Sequence, residues 1–229
     1  MLSSENPITA WNTSVIIPIH KKKSKMNPEN YRGIALSCNM SKLFAAILNQ
    51  RLLEYSLQNG IIQNNQLGFM PGNRTSDALV ILYNLFQEYC LKNNKYIYAC
   101  FVDFQKAFDS IPRHLLFEKL LGHNITGQFY NCIRNMYTKD LACICVDGKI
   151  TESFHINKGV KQGCILSPLL FNIFLSDMPK FLGISQDSSP LNINQTETIS
   201  SLLWADDLLM MSKTEQSLNN MLKNLNVYC

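Results

Sequence analysis

Three carboxylates stand where an apolar run ordinarily excludes them. Asp103 closes the segment Tyr96–Asp103 (YIYACFVD), and Asp206 and Asp207 separate two apolar stretches, Ser201–Trp204 and Leu208–Met211. A buried carboxylate is costly unless it is paired or bound to a cation. By itself an Asp-Asp pair reads first as a turn. A hairpin turn would push the pair out together, and a neighbouring strand would set Asp103 beside it. Three clustered carboxylates repel one another and favour a divalent cation. Two Mg²⁺ ions held in this way, with Mn²⁺ as the alternative ion, can activate a 3′-hydroxyl and stabilise a leaving pyrophosphate.

The elements that must position these acids follow from periodicity and breakers. Tyr96–Asp103 is rich in aromatic and branched residues and reads as a strand buried on both faces. Thr198–Trp204, a tight turn at Ala205-Asp206-Asp207, and Leu208–Ser212 read as a hairpin. Upstream, Ser14–His20 reads as a strand that Pro18 assigns to an edge, followed by a loop over residues 21–30 and a strand at Tyr31–Ser37. Ser41 is the expected N-cap of a helix that Asn59-Gly60 stops. Gln66–Asn73 reads as loop, and Thr75–Leu91 as helix. Pro112 is expected in the first turn of a helix, with another near Thr126–Tyr137. Leu141–Val146, a turn at Asp147-Gly148 and Ile150–Ile156 form a second expected hairpin. Leu166–Leu182 reads as an apolar helix, Gly183–Glu197 as a polar loop, and Thr214 as the cap of a last helix. Strands and helices in this irregular order predict an α+β fold.

Composition narrows the class. The 229 residues are 46% hydrophobic and 17% charged, a globular balance. No uninterrupted apolar run is long enough to span a bilayer, and residues 1–10 lack the apolar core of a secretory signal. The eight cysteines contain no C-x-x-C pair, which argues against zinc and disulfides and for reduced, mostly buried thiols. Net charge is +4, but residues 1–51 hold seven Lys/Arg and two acids while the remainder hold fourteen and fifteen. The excess centres on His20–Lys25 (HKKKSK), which suits a polyanion such as phosphate or nucleic acid, although a short lysine run is also an ordinary solvated loop.

The motifs carry a resemblance. Leu202–Leu208 (LLWADDL) resembles the aromatic-Ala-Asp-Asp box of reverse transcriptases. Phe101–Asp109 (FVDFQKAFD) resembles the first catalytic-aspartate box of the enzymes of non-LTR, LINE-type retrotransposons, and Lys158–Asn172 (KGVKQGCILSPLLFN) their Gln-Gly-x-x-Leu-Ser-Pro box. Asn30–Leu36 (NYRGIAL) and Gln66–Gly72 (QLGFMPG), running on to Thr75–Ala78, resemble two fingers motifs of the same group. Five boxes in order, covering roughly residues 14–228, are hard to obtain by chance.

The resemblance implies right-hand polymerase fingers and palm, an antiparallel palm sheet backed by helices. It implies an N-terminal tail over 1–13, fingers over 14–95 and palm over 96–229, with a fingers insertion near 141–165. Asp103, Asp206 and Asp207 would bind the metals, Asp103 and Asp206 most directly, helped by the carbonyl of Phe104. Arg32 would clamp the triphosphate and stack on the base, and one of Lys21, Lys22 and Lys23 would reach the outer phosphates. Phe108 would exclude a 2′-hydroxyl, with plain core packing as its other reading. Gln162 and Gly163 would lie against sugar and base, and Trp204 would support the primer end. Lys42 and Arg74 are as suited to surface roles. The sequence departs from the pattern at Trp204, where relatives carry Tyr or Phe, and at Arg74, which is shifted by one position. It also stops at Cys229, before the primer grip and thumb, and shows no N-terminal endonuclease, for which the expected readings are a truncated element copy or an incomplete gene model.

The expected activity is RNA-directed DNA polymerisation, with an RNA template, a DNA primer and dNTPs as partners, no membrane, and a nuclear site of action. The alternatives are an inactive remnant that only binds nucleic acid, and an intron-type maturase or RNA-templated RNA polymerase. Phe108 and the Asp-Asp box without a preceding glycine argue against the RNA polymerase, and the wording of the Gln-Gly box against the maturase.

Overall fold

The structure is a computed structural model and describes residues 9–138, 140–183, 191–192 and 198–229. In chain order the elements begin with α1 (Thr9–Asn12), β1 (Thr13–His20), β2 (Tyr31–Leu36), α2 (Asn39–Gln58), α3 (Thr75–Phe86) and β3 (Tyr98–Asp103). They continue with α4 (Ala107–Ser110), α5 (Arg113–Gly122), α6 (Gly127–Thr138), β4 (Leu141–Val146), β5 (Lys149–Ile150), β6 (Phe154–His155) and α7 (Ser167–Phe174). The last are α8 (Met178–Phe181), β7 (Leu191–Asn192), β8 (Thr198–Ile199), β9 (Ser201–Trp204), β10 (Asp207–Ser212) and α9 (Glu215–Tyr228). The fold is α+β. Residues 1–61 with 106–174 form one compact unit, and residues 62–105 with 175–229 form a second.

In the first unit the sheet runs β2-β1-β4-β5, with β6 also on β4. β1 is therefore interior, not the edge that Pro18 suggested. The proline is tolerated because the parallel ladder with β4 ends at Ile16–Ile144, so its missing N–H lies beyond that partner. The cap of α2 lies one turn before Ser41: the Cys38 thiol accepts the Ser41 N–H, while the Ser41 hydroxyl donates to the Trp11 carbonyl. The Asp147-Gly148 turn has positive φ at both residues, 49° and 76°, as a two-residue type I′ hairpin requires. Its return strand is broken into β5 and β6, because the Thr151 hydroxyl takes the Ile144 N–H at the break. Leu48, Leu52, Leu116, Leu120, Ile133 and Leu170 fill the helical side of this unit.

The expected helix 166–182 is two helices, α7 and α8. Pro179 falls in the first turn of α8, where it has no N–H to continue the earlier ladder. α3 likewise ends at Phe86 and gives way to a π-helical turn over Gln87–Lys92. The expected loop Gly183–Glu197 lies mostly outside the described residues.

In the second unit the sheet runs β3-β10-β9, all antiparallel. Leu202, Leu209 and Met211 on one face join Leu67, Leu85, Tyr89, Leu191 and Ile199 in a core. α9 packs on β3 and β10 with Leu218, Met221 and Leu225 buried. β3 is not buried on both faces as its composition suggested. It is an edge strand, and Phe101 is 75% exposed. Apolar composition reports what a strand tolerates, not how many neighbours it has.

Candidate functional site

The acids are gathered by register in the second unit. Asp103, the last residue of β3, lies opposite Asp207, the first of β10. Directly opposed residues of an antiparallel pair share a sheet face with Cβ atoms about 4.5–5.5 Å apart. Asp207 is also opposite Trp204, so Ala205 and Asp206 alone form the hairpin loop. Ala205 has φ +57° whereas Asp206 is not in the left-handed region, the signs of a type II′ turn. Burial, then the charges of Asp206 and Asp103, push the Asp207 carboxyl above its ordinary value. Among the described residues no three His, Cys, Asp or Glu side chains form a ready-made ligand cluster. What the register does supply is three carboxylates on adjoining backbone, with the charges of Asp103 and Asp206 acting against that of Asp207. That donor set fits Mg²⁺ or Mn²⁺, and the Phe104 carbonyl follows directly after Asp103 in the chain.

The residues assigned to the nucleotide all lie in the first unit. Lys21 to Lys25 occupy an exposed loop between β1 and β2. The loop is closed by the Lys21 N–H donating to Asn30 O and the Tyr31 hydroxyl donating to Lys25 O. Arg32, exposed on β2, shares a strand face with Ile34. Gly163 meets β2 at that point: a Cβ on it would lie 2.8 Å from Ala35 O and 3.5 Å from the Ile34 side chain. The Gln162 carbonyl accepts the Ala35 N–H at 2.7 Å. On its other side the segment is tied to α4. Gln162 donates through Nε2 to Asp109 Oδ1 at 2.7 Å, and the Val160 N–H donates to Phe108 O. Phe108 stacks on Phe171, with centroids 4.5 Å apart, and stays half-exposed. It therefore packs in the core while showing part of its ring. Lys42 is half-buried on α2. Arg74 is exposed at the start of α3, where its N–H donates to Asp77 Oδ2.

The chain matches the family described as reverse transcriptase (RNA-dependent DNA polymerase) over residues 19–229. It belongs to the reverse transcriptases. Within that family it is 28% identical, over 91% of its length, to the RNA-directed DNA polymerase from mobile element jockey of Drosophila melanogaster. It is 27% identical over 91% to the Pol polyprotein of the type-2 retrotransposable element R2DM of the same organism. It spans 22% and 19% of those two proteins, about a fifth of their length. Among solved structures it is similar to a telomerase from Candida albicans solved with a fragment of telomeric RNA, with TM-score 0.69 and 12% identity over 96% of this chain and 40% of that one. An apo telomerase from Candida tropicalis gives TM-score 0.63 and 15% identity over 94% and 46%. The fold of this reverse transcriptase chain is thus shared with proteins of little sequence likeness.

Several anchoring residues are only faintly marked in the sequence. Arg113, 7% exposed, donates to the carbonyls of Tyr137, Ile156 and Gly159 and to Asp140 Oδ2. Lys161 Nζ lies 2.9 Å from Asp140 Oδ1 as an ion pair. This buried cluster holds the segment leading into Gln162-Gly163. Its only sequence signal is charge within apolar surroundings, and that does not by itself reveal burial. Gln66 and Gly68 stand out in the sequence only as part of a loop motif.

Proposed function

We propose that the chain is the polymerising core of an RNA-directed DNA polymerase of a non-LTR retrotransposon, adding dNTPs to a primer 3′-hydroxyl on an RNA template. The observation that carries this reading is Asp103 opposite Asp207 across β3 and β10, with Asp206 in the adjoining turn. Asp103, Asp206 and Asp207 would hold the metal, together with the Phe104 carbonyl. Two Mg²⁺ ions, if bound there, would supply Lewis acidity for an in-line displacement.

The remaining work falls to the chain's own groups. Arg32 pairs with phosphate through its planar fork and stacks on the base. Lys22, with its neighbours Lys21 and Lys23, offsets charge on the outer phosphates. Gly163 lets backbone approach sugar and base, and Gln162 fixes the sugar. The exposed part of Phe108 stands against a 2′-hydroxyl and so selects dNTPs. Trp204, held in register with Asp207, supports the primer end. No protein nucleophile is required, since positioning and charge supply the rate.

The test is dNTP incorporation on a primed RNA template with Mg²⁺ or Mn²⁺. Incorporation should fall by about 10²–10³-fold in Asp206→Asn, the scale on which loss of one preorganised electrostatic group acts. No incorporation by a chain shown by circular dichroism to be folded would overturn the polymerase reading and leave nucleic-acid binding in its place.

A further inference from the structure

The loop motif Gln66-Leu-Gly has no role in the chemistry above, yet it lies against the turn that carries the acids. Asn65–Leu67 runs beside β9: the Leu203 N–H donates to Asn65 O, and the Leu67 N–H donates to Leu203 O, both at 2.8 Å. The Asn65 amide also donates to the Ser201 hydroxyl at 2.8 Å. The strip thus extends the β3-β10-β9 sheet up to the hairpin loop. There the Gln66 side chain, 6% exposed, brackets one residue. Its Oε1 accepts the Ala205 N–H at 3.2 Å and the Gly68 N–H at 2.9 Å, while its Nε2 donates to Ala205 O at 3.4 Å. An amide oriented this way offers an acceptor to the two N–H groups and a donor to the carbonyl.

Gly68 completes the clamp from the backbone side. A Cβ there would lie 2.1 Å from Ala205 N and 2.9 Å from Trp204 C, both backbone atoms that cannot swing aside. Ala205, the residue so held, carries the left-handed φ of +57°. A non-glycine residue in that region costs about 1–2 kcal/mol and persists only where its surroundings enforce it. The enforcing groups here are Gln66 and Gly68.

We infer that Gln66 and Gly68 are positioning residues for the metal-binding turn: by fixing both backbone polar groups of Ala205 they set where Asp206 and Asp207 point. The inference rests on the metal-binding reading of the three acids. An amide bonded to the backbone before the acids acts like a group that orients a ligand, and removing such groups lowers metal affinity about 10–100-fold.

The experiment uses the whole chain and two readouts. Hydrogen exchange at the Ala205 and Asp206 amides reports the clamp without any metal. Tb³⁺ luminescence sensitised by Trp204, which is paired with Asp207, reports ion binding without any catalysis. Gln66→Met keeps the volume and removes every bond, and Gly68→Ala presses on Ala205 with Gln66 intact. Both variants should speed exchange at the turn by at least tenfold and weaken Tb³⁺ binding by about 10–100-fold, at unchanged circular dichroism. Wild-type exchange rates in Gln66→Met would overturn the clamp. Unchanged Tb³⁺ affinity in a chain where Asp206→Asn lowers it would overturn the positioning role. Should Gln66→Met not fold, Gly68→Ala decides on the same two readouts. Tb³⁺ binding that is insensitive to Asp206→Asn would instead sink the metal reading, and exchange still decides the clamp.

Discussion

Asp207 is held in an unfavourable electrostatic state. Burial and the charges of Asp206 and Asp103 raise its carboxyl above the ordinary value. An acid raised in the folded state binds its proton more tightly there than in the unfolded chain, so stability falls as pH rises through the carboxylate range. Below both values the group is protonated in either state and the repulsion is gone. Asp207→Asn should therefore raise Tm at neutral pH in metal-free buffer, and the gain should vanish as pH falls below the carboxylate range. Asp207 is exposed, so the interaction is screened to less than about 1 kcal/mol, roughly 1–3 °C in a chain of this size. Mg²⁺ should stabilise the wild type more than the variant, which keeps Asp103 and Asp206, and thermal melts across pH with and without Mg²⁺ check both. A lower Tm in the variant at neutral pH would mean that the Asp207 charge is stabilising and that repulsion among the acids does not govern the turn. The acids are legible in the sequence because they interrupt apolar runs, where only function or pairing retains a charge. Gln66 is not, because an amide in a loop motif gives no sign of being buried. Its role depends on which backbone atoms the fold brings within hydrogen-bond reach.

At the scale of elements, the segment from Ile156 to Gly163 has no regular structure of its own and is held from outside. Its carbonyls at Ile156 and Gly159 accept from Arg113, and its Gly159 and Val160 N–H groups donate to Ile111 and Phe108. Asp140, 1% exposed, faces both Arg113 and Lys161. Removing its charge leaves two buried cations without their anion. Breaking a buried ion pair from one side costs about 3–5 kcal/mol, and in a domain of this size that is roughly 6–20 °C of Tm. Asp140→Asn should lose that much by calorimetry, while Lys158→Ala, exposed in the same segment, should stay within about 0.5 kcal/mol. An Asp140→Asn chain as stable as the wild type would remove the cluster as the anchor of Gln162-Gly163. Periodicity finds most of the elements, since β2, α6, β4 and the Thr214 cap of α9 fall within a residue or two of expectation. It fails where a local hydrogen bond or a missing donor overrides the pattern. The Cys38 thiol moves a cap, the Thr151 hydroxyl breaks a strand and Pro179 splits a helix. β3 reads as buried and is an edge because sheet order is set by pairing between distant segments, which periodicity does not encode.

At the scale of the molecule, the two units differ in charge as they differ in assigned role. The unit with the lysine loop, Arg32 and Gln162-Gly163 holds 15 Lys/Arg and 8 Asp/Glu, a net of +7. The unit with the three acids holds 6 and 9, a net of −3. In the sequence the basic excess lies in residues 1–51. The fold adds to it by joining residues 106–174, which carry eight Lys/Arg and five acids, to the same unit. Attraction to a nucleic-acid backbone should therefore run through the first unit, and the second should need cations to tolerate phosphate near its acids. Each phosphate neutralised by a lysine contributes about one to the slope of log affinity against log salt. Binding of a short RNA–DNA hybrid should weaken steeply with salt. Replacing Lys21, Lys22, Lys23 and Lys25 by alanine should flatten the slope by about one for each lysine in contact with phosphate. Replacing Lys180, Lys213 and Lys223, exposed in the second unit, should leave it unchanged. Fluorescence anisotropy over a range of salt measures both. An equal loss from the two sets would mean that binding follows overall charge, and the assignment of phosphate contacts to the loop between β1 and β2 would fail.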